Sequence, residues 1–199
     1  MRKLVVSMNV SLDGFMAGPA GELDWHFPYW TDEMADVLAG ELSKADTILL
    51  GANTYSVMAA YWPFVTGDTC YPRADLAYAD MMNNHLKLLA STRIKKPAWQ
   101  NTQRLTGDFL KQLAEFKITG EKEILLYGSG KLVRSLQLAQ LVDRYMLWAY
   151  PVAIGKGKEL FSKGESLQFS SARSFSCGAM LMVYDVIAPA QQTDSKTAT

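Results

Sequence analysis

Net charge is missing from this chain: twenty Lys and Arg offset twenty Asp and Glu across 199 residues. Nucleic-acid binders and membrane-surface proteins usually carry a basic excess, so its absence argues against both partners. It also removes long-range self-repulsion, which makes a homodimer compatible with the sequence. Cysteine is scarce as well. Cys70 and Cys177 stand far apart, with no Cys-x-x-Cys pair and no Cys/His cluster. A disulfide scaffold and a zinc site are thereby disfavoured, and both thiols read as reduced. Carboxylates paired at helical spacing are lacking too, so no metal is expected. His26 and His85, the two imidazoles, have no nucleophile pattern around them, which removes the case for a hydrolytic triad. No run approaches the roughly 20 apolar residues of a membrane span. Met1-Arg2-Lys3 before Leu4-Val5-Val6 imitates a signal peptide, but Ser7, Asn9 and Asp13 interrupt the apolar run too early. The expected location is the cytoplasm.

Repeats and internal low-complexity linkers are also absent. The expectation is a single domain over residues 1–187 and a disordered tail over 188–199, where large apolar side chains stop. The whole chain is 49% apolar, enough for a sizeable core. Strand-like runs fall at 4–10, 47–50, 86–90, 123–127, 145–150, 167–175 and 180–186. Met34, Val37, Leu38 and Leu42 form a helical stripe, with Thr31 as N-cap and Asp32 and Glu33 in the first turn. Phe109, Leu113 and Phe116 form a second stripe, and Leu132, Val133 and Leu136 a third. Ile48-Leu49-Leu50 and Ile124-Leu125-Leu126 do not alternate, as befits parallel strands covered on both faces. The last two runs are separated only by Ser176-Cys177-Gly178-Ala179, too short for a crossover, so they form an antiparallel hairpin. The expected fold is an α/β three-layer αβα domain whose mostly parallel central sheet ends in that hairpin.

Three strand ends carry groups suited to an anion. Ile124-Leu125-Leu126-Tyr127 stops at Gly128-Ser129-Gly130-Lys131-Leu132, where a helix begins and free backbone N–H groups converge. Thr47-Ile48-Leu49-Leu50 stops at Gly51-Ala52-Asn53-Thr54-Tyr55 in the same manner. The third end supplies Ser91, Thr92 and Arg93. Ligands of open parallel sheets bind outside the strands' carboxyl ends. Three such ends suggest a ligand with several phosphates, such as a dinucleotide, although the Gly-x-Gly-x-x-Gly fingerprint is absent.

The segment Ser11-Leu12-Asp13-Gly14-Phe15-Met16-Ala17-Gly18-Pro19 reads as a flexible loop at the sheet's edge, able to close over a ligand. Asp13 and Asp24 serve there either as turn and cap residues or as functional carboxylates. Trp25, Phe27, Tyr29 and Trp30 serve either as packing, as a dimer face, or as a stacking wall for a planar heterocycle.

Taken in order, these motifs resemble the dihydrofolate reductase-like superfamily, and within it the reductase domain of riboflavin biosynthesis and its stand-alone bacterial relatives. Ser11-Leu12-Asp13-Gly14 with Ala17, Gly21-Glu22-Leu23-Asp24-Trp25, Leu50-Gly51-Ala52-Asn53-Thr54-Tyr55, Tyr127-Gly128-Ser129-Gly130, Leu141-Val142-Asp143-Arg144 and Pro151-Val152-Ala153-Ile154-Gly155-Lys156-Gly157 carry the resemblance. It implies NADPH, held by Gly51, Asn53, Thr54, Ser91, Thr92, Arg93 and Gly128 through Leu132, with Ala17 near the nicotinamide. It further implies hydride transfer to a pterin, pyrimidine or ribosylamino-pyrimidine, a small heteroaromatic substrate faced by Trp25, Phe27 and Tyr55. Asp13 or Asp24 would be the catalytic carboxylate. Ala52 stands where the family often has Arg, which leaves Arg93 or Lys131 to supply a cation and leaves NADH open beside NADPH. Tyr127 stands where the riboflavin-pathway reductases have Glu. A domain that binds the nucleotide without chemistry, as a sensor or scaffold, is the competing expectation.

Overall fold

The computed structural model describes residues 1–65, 73–161 and 163–187, with only the backbone described at 73–75. Cys70 and the expected tail at 188–199 lie outside the described residues.

Alternation along each strand sorts side chains onto two faces. In β1 (Leu4–Ser11), Leu4, Val6, Met8 and Val10 join one core cluster, and Val5 joins the other. β3 (Ala45–Gly51) sends Ile48 and Leu50 one way and Leu49 the other; β6 (Glu123–Tyr127) splits Leu125 and Tyr127 from Ile124 and Leu126. All but Tyr127 among these β3 and β6 residues are at most 1% exposed, as strands roofed on both sides must be. The first roof holds α1 (Asp32–Lys44), α2 (Ala52–Ala59) and α3 (Arg73–Asn84); the second holds α4 (Phe109–Ile118) and α5 (Gly130–Leu138). Met34 and Leu42, two turns apart on α1, are fully buried, each contributing roughly 2–3 kcal/mol of apolar burial.

The remaining strands are β2 (Phe15–Ala17), β4 (Leu86–Ala90), β5 (Thr102–Leu105), β7 (Arg144–Tyr150), β8 (Lys158–Glu159), β9 (Leu167–Ser174) and β10 (Met180–Val186). The main sheet has the order β5-β4-β3-β6-β1-β7-β10-β9. Strands β5 through β7 in that order are mutually parallel, and β10 runs antiparallel to both β7 and β9. The three-layer fold with a terminal hairpin is therefore present. β2, β5, β8 and α3 were not expected from the sequence.

Two basic side chains close the bottom of the sheet. His85 Nε2 meets the carbonyls of Leu42 and Ala45 at 3.2 and 3.0 Å, at the C-terminal end of α1. The fully buried Lys87 donates to the carbonyls of Met82, Asn83 and His85 at 2.8, 2.9 and 2.9 Å, at the end of α3. Both satisfy carbonyls that a helix cannot satisfy itself. With this end capped, the opposite, carboxyl rim of the sheet is left for chemistry.

Candidate functional site

Parallel strands place their carboxyl ends on one rim, so residues far apart in sequence meet there. β4, β3 and β6 are successive neighbours, and Ala90 pairs with Gly51 while Leu50 pairs with Tyr127. Hence the Gly51, Ser91 and Gly128 turns stand side by side. The packing between two of them is intimate. A Cβ on Gly51 would overlap the Ser129 hydroxyl and lie 2.8 Å from Ser129 Cβ. A Cβ on Gly128 would lie 3.0 Å from Thr54 Oγ1, and one on Gly130 would overlap the Met16 methyl and lie 2.7 Å from its sulfur. Gly128 and Ser129 both adopt positive φ, 57° and 65°. That conformation is natural for glycine and strained for serine. The Ser129 and Thr54 hydroxyls enter no hydrogen bond with the described residues, so both remain free for a ligand in this cradle.

Electrostatics divides the rim. α2 begins at the Gly51 turn and α5 at the Ser129 turn; neither has a side-chain cap or an acidic residue in its first turn. α1 and α4 differ: Thr31 and Asp108 accept from the Met34 and Lys111 amides, and Asp32 and Glu33 occupy the first turn of α1. Two uncapped helix N-termini side by side form a positive region over β4, β3 and β6. Arg93 and Lys131, both exposed, add cations there. Arg93 donates to the Asn53 side chain, and Ser91 Oγ accepts the amides of Arg93 and Ile94 at 3.1 and 3.0 Å. Thr92 is exposed in the same turn, and Leu132 is buried beneath the α5 turn.

The glycine-rich segment after β1 is not at the sheet's edge, as expected, but leaves an interior strand. Its β2 pairs with β8, and the Asp13 carboxylate fastens the same two loops together. Asp13 accepts the Ser11 hydroxyl at 2.6 Å and the Ile154 and Gly155 amides at 3.2 and 2.7 Å. The Ser11 hydroxyl first, and then the amides, hold its carboxyl below the ordinary aspartate range. A carboxylate so occupied and so ionised is suited to holding a loop, not to donating a proton. Ala17 is buried and paired with Lys158 of β8, its carbonyl against Gly157, while its neighbour Met16 lies against Gly130 of α5.

The aromatic group lies over the β1 and β7 ends. Trp25, His26 and Tyr29 come from a 3₁₀ helix, Asp24–Tyr29, and surround the ring of Tyr150 at centroid distances of 5.7, 5.3 and 6.2 Å. Trp25 Nε1 donates to the Glu22 carbonyl at 3.2 Å. Burial holds the His26 imidazole below its usual pKa. Asp24 is exposed in the first turn of this helix, and Phe27 is 63% exposed at its surface. Tyr55 is corrected more sharply. It is 4% exposed, and its hydroxyl accepts the Trp99 amide at 2.9 Å, so it anchors the loop before β5 rather than facing a substrate. Tyr127, likewise, is bonded to Tyr78 between hydroxyls at 3.0 Å, and burial raises the pKa of both.

One residue escaped sequence reasoning. Tyr150, 1% exposed, holds the sole buried side-chain oxygen or nitrogen among the described residues that lacks a hydrogen-bond partner. It is the last residue of β7, paired with Ser11 of β1, and therefore sits at the rim. Its position at a strand's carboxyl end was a readable signal; its missing partner was not.

Comparison with known proteins gives this geometry a family. YyaP of Bacillus subtilis (strain 168), an uncharacterized protein, is 27% identical over 186 residues, covering 92% of this chain and 94% of its own. Three solved structures share the fold. A protein named for riboflavin biosynthesis from Shewanella sp. PV-4 has a TM-score of 0.71 at 17% identity, over 94% of this chain and 99% of that one. A pyrimidine reductase-like protein of Corynebacterium diphtheriae has 0.61 at 16%, over 94% and 93%. Dihydrofolate reductase from Enterococcus faecalis, complexed with NADP(H), has 0.59 at 12%, over 92% and 96%. The RibD C-terminal domain model matches residues 2–182, nearly the whole chain. This chain belongs to the RibD C-terminal domain family.

Proposed function

We propose that the protein is an NADPH-dependent reductase of a small heteroaromatic substrate of the pterin, pyrimidine or ribosylamino-pyrimidine type. One observation carries the reading: two uncapped helix N-termini interlock at the Gly51 and Gly128–Gly130 turns, beside the Ser91–Arg93 turn, on one rim. The reductase-like fold of the family supports it, as does the NADP(H) carried by the Enterococcus faecalis enzyme of the same fold.

In this reading the amides of the α5 turn, with the Ser129 and Thr54 hydroxyls, hold the diphosphate. Ala17 and Met16 back the nicotinamide half, and the β2–β8 pairing with the Asp13 latch keeps water from it. When bound, the cofactor supplies a hydride to an electrophilic ring carbon, while a proton goes to the adjoining nitrogen or oxygen. The chain's own task is orientation. Trp25 and Tyr29 stack against the acceptor ring, and the Tyr150 hydroxyl meets its polar edge. Burial raises the Tyr150 pKa, so this hydroxyl stays protonated and available as a donor at neutral pH.

The test follows NADPH absorbance with dihydrofolate, dihydropterins and the ribosylamino-pyrimidine phosphate. Oxidation with any of them supports the reading; failure to bind NADPH and NADH alike overturns it. The engagement of Asp13 in the loop latch favours a second reading, a nucleotide-binding module without chemistry. Tight NADPH binding with no oxidation across the panel would establish that alternative.

A further inference from the structure

The hydroxyl of Tyr150 is buried without a hydrogen-bond partner, and the groups set around its ring carry no charge. Trp25, His26 and Tyr29 stand there from the 3₁₀ helix, and burial disfavours the charged form of the His26 imidazole. The half-buried Cys177 approaches from the turn between β9 and β10. A Cβ on Gly178 would lie 3.4 Å from Cγ of Pro151, so this turn is packed against the residue after Tyr150. Among the described residues no carboxylate, ammonium or guanidinium acts on the phenol. The charged side chains of the neighbourhood are engaged elsewhere. Asp13 is spent on the latch, Arg173 pairs with Glu33 at 2.8 Å, and Lys158 acts on Glu22. Asp24, exposed, acts on His26.

The segments around this phenol also leave large apolar side chains in water. Leu12, Leu23, Phe27 and Trp30 are 75%, 46%, 63% and 41% exposed. Leu12 follows Ser11, the pairing partner of Tyr150, while Leu23 and Trp30 flank the 3₁₀ helix and Phe27 lies within it. Exposed apolar groups gathered about one buried, unpaired donor mark a ligand face. A phosphate or carboxylate brought there gives up water without gaining a partner, whereas a ring carbonyl accepts the phenolic hydrogen bond. We infer that the acceptor is an uncharged cyclic carbonyl compound, its carbonyl on Tyr150 and an uncharged substituent against Phe27 and Trp30. The ring carbon gains the hydride that NADPH gives up, and the displaced electron pair takes a proton from water at the adjoining nitrogen or oxygen. The inference rests on the reductase reading above and narrows its substrates to those without phosphate or carboxylate.

Two matched pairs of acceptors test it, each pair sharing one reacting ring. The first is the ribosylamino-pyrimidine with and without its phosphate. The second is dihydrofolate against 6-methyl-7,8-dihydropterin, which lacks the glutamate carboxylates. In each pair the uncharged member should have the higher kcat/KM, by about tenfold or more. Calorimetry with NADP+ present should rank the members in the same order. Tyr150→Phe should lower kcat/KM for the uncharged members about tenfold and leave NADPH affinity unchanged. Phe27→Lys, which puts a cation on an exposed position, should narrow the preference about two- to fivefold. Equal rates within both pairs, or faster reaction of the charged members, overturn the inference while the reductase reading stands. Full activity in Tyr150→Phe, or an unchanged preference in Phe27→Lys, does the same. Oxidation of NADPH by no member of either pair overturns the reductase reading itself, and the inference with it.

Discussion

Asp13 accepts the Gly155 amide at 2.7 Å, joining two loops 142 positions apart across the mouth of the β1 end. This latch leads to a first prediction. Asp13→Asn should speed NADPH dissociation and lower any turnover, with little change in thermal stability, because the side chain is exposed. The sign of its pH dependence follows from a folded pKa that the Ser11 hydroxyl and the loop amides hold below the ordinary aspartate value. Loop docking is fully present above that value and fades as pH falls through the lower, folded pKa. Stopped-flow release of NADPH for wild type and variant, at neutral and acid pH, checks both points.

The glycine cradle makes a graded prediction. Gly51→Ala places a methyl against Ser129 Cβ, at the turn where the ligand is to be held. Overpacking of this kind costs about 1–3 kcal/mol, so NADPH affinity should fall roughly 5- to 100-fold. Gly130→Ala meets only the flexible end of Met16 and should lose less. Fluorescence titration of both variants measures the order.

Tyr150→Phe separates function from stability. An unpaired buried hydroxyl costs roughly 1–3 kcal/mol, so removing it should hold the thermal midpoint steady or raise it by a few degrees. Turnover of an accepted substrate should fall about tenfold or more. A lowered midpoint would mean that the hydroxyl already has a partner.

Lys87 makes stability depend on pH. Burial pushes its ammonium from 10.5 down to about 8. The folded protein therefore gives up this proton first, and unfolding takes it back. Stability should rise as pH increases above about 8. The rise ends near pH ~10, where tyrosines ionise more readily in the unfolded chain than in a fold that raises their pKa values. Thermal melts across this window should show the rise in the wild type, and Lys87→Met should flatten it.

Much of the architecture was legible because it is written locally. Ile48-Leu49-Leu50 and Ile124-Leu125-Leu126 announce two-faced strands, and Thr31 caps α1 as its residue type suggests. The short strands were illegible for the opposite reason. β2 and β8, three and two residues long, exist because two loops meet, and no pattern of period two fits in so few positions. α3 had a readable pair in Tyr78 and Met82, four apart, but its polar remainder masked the stripe. In the site, the glycine turns were visible as punctuation. The occupation of Asp13 was only half visible, since the Ser11 hydroxyl is local but the Ile154 and Gly155 amides arrive from beyond β7, and Tyr55 looked like a ligand group only until Trp99 folded onto it.

The contrast between bare α2 and α5 and capped, acidic α1 gives this electrically neutral protein a dipole along its rim. A neutral body exerts no net long-range pull on an anion, so salt should have little influence on how often one arrives. Close in, the field acts as a torque, and a dinucleotide bound as proposed would be turned phosphate-first toward the bare helix ends and its uncharged ring toward β7. Orientation, rather than capture, is what this charge pattern is built to accelerate.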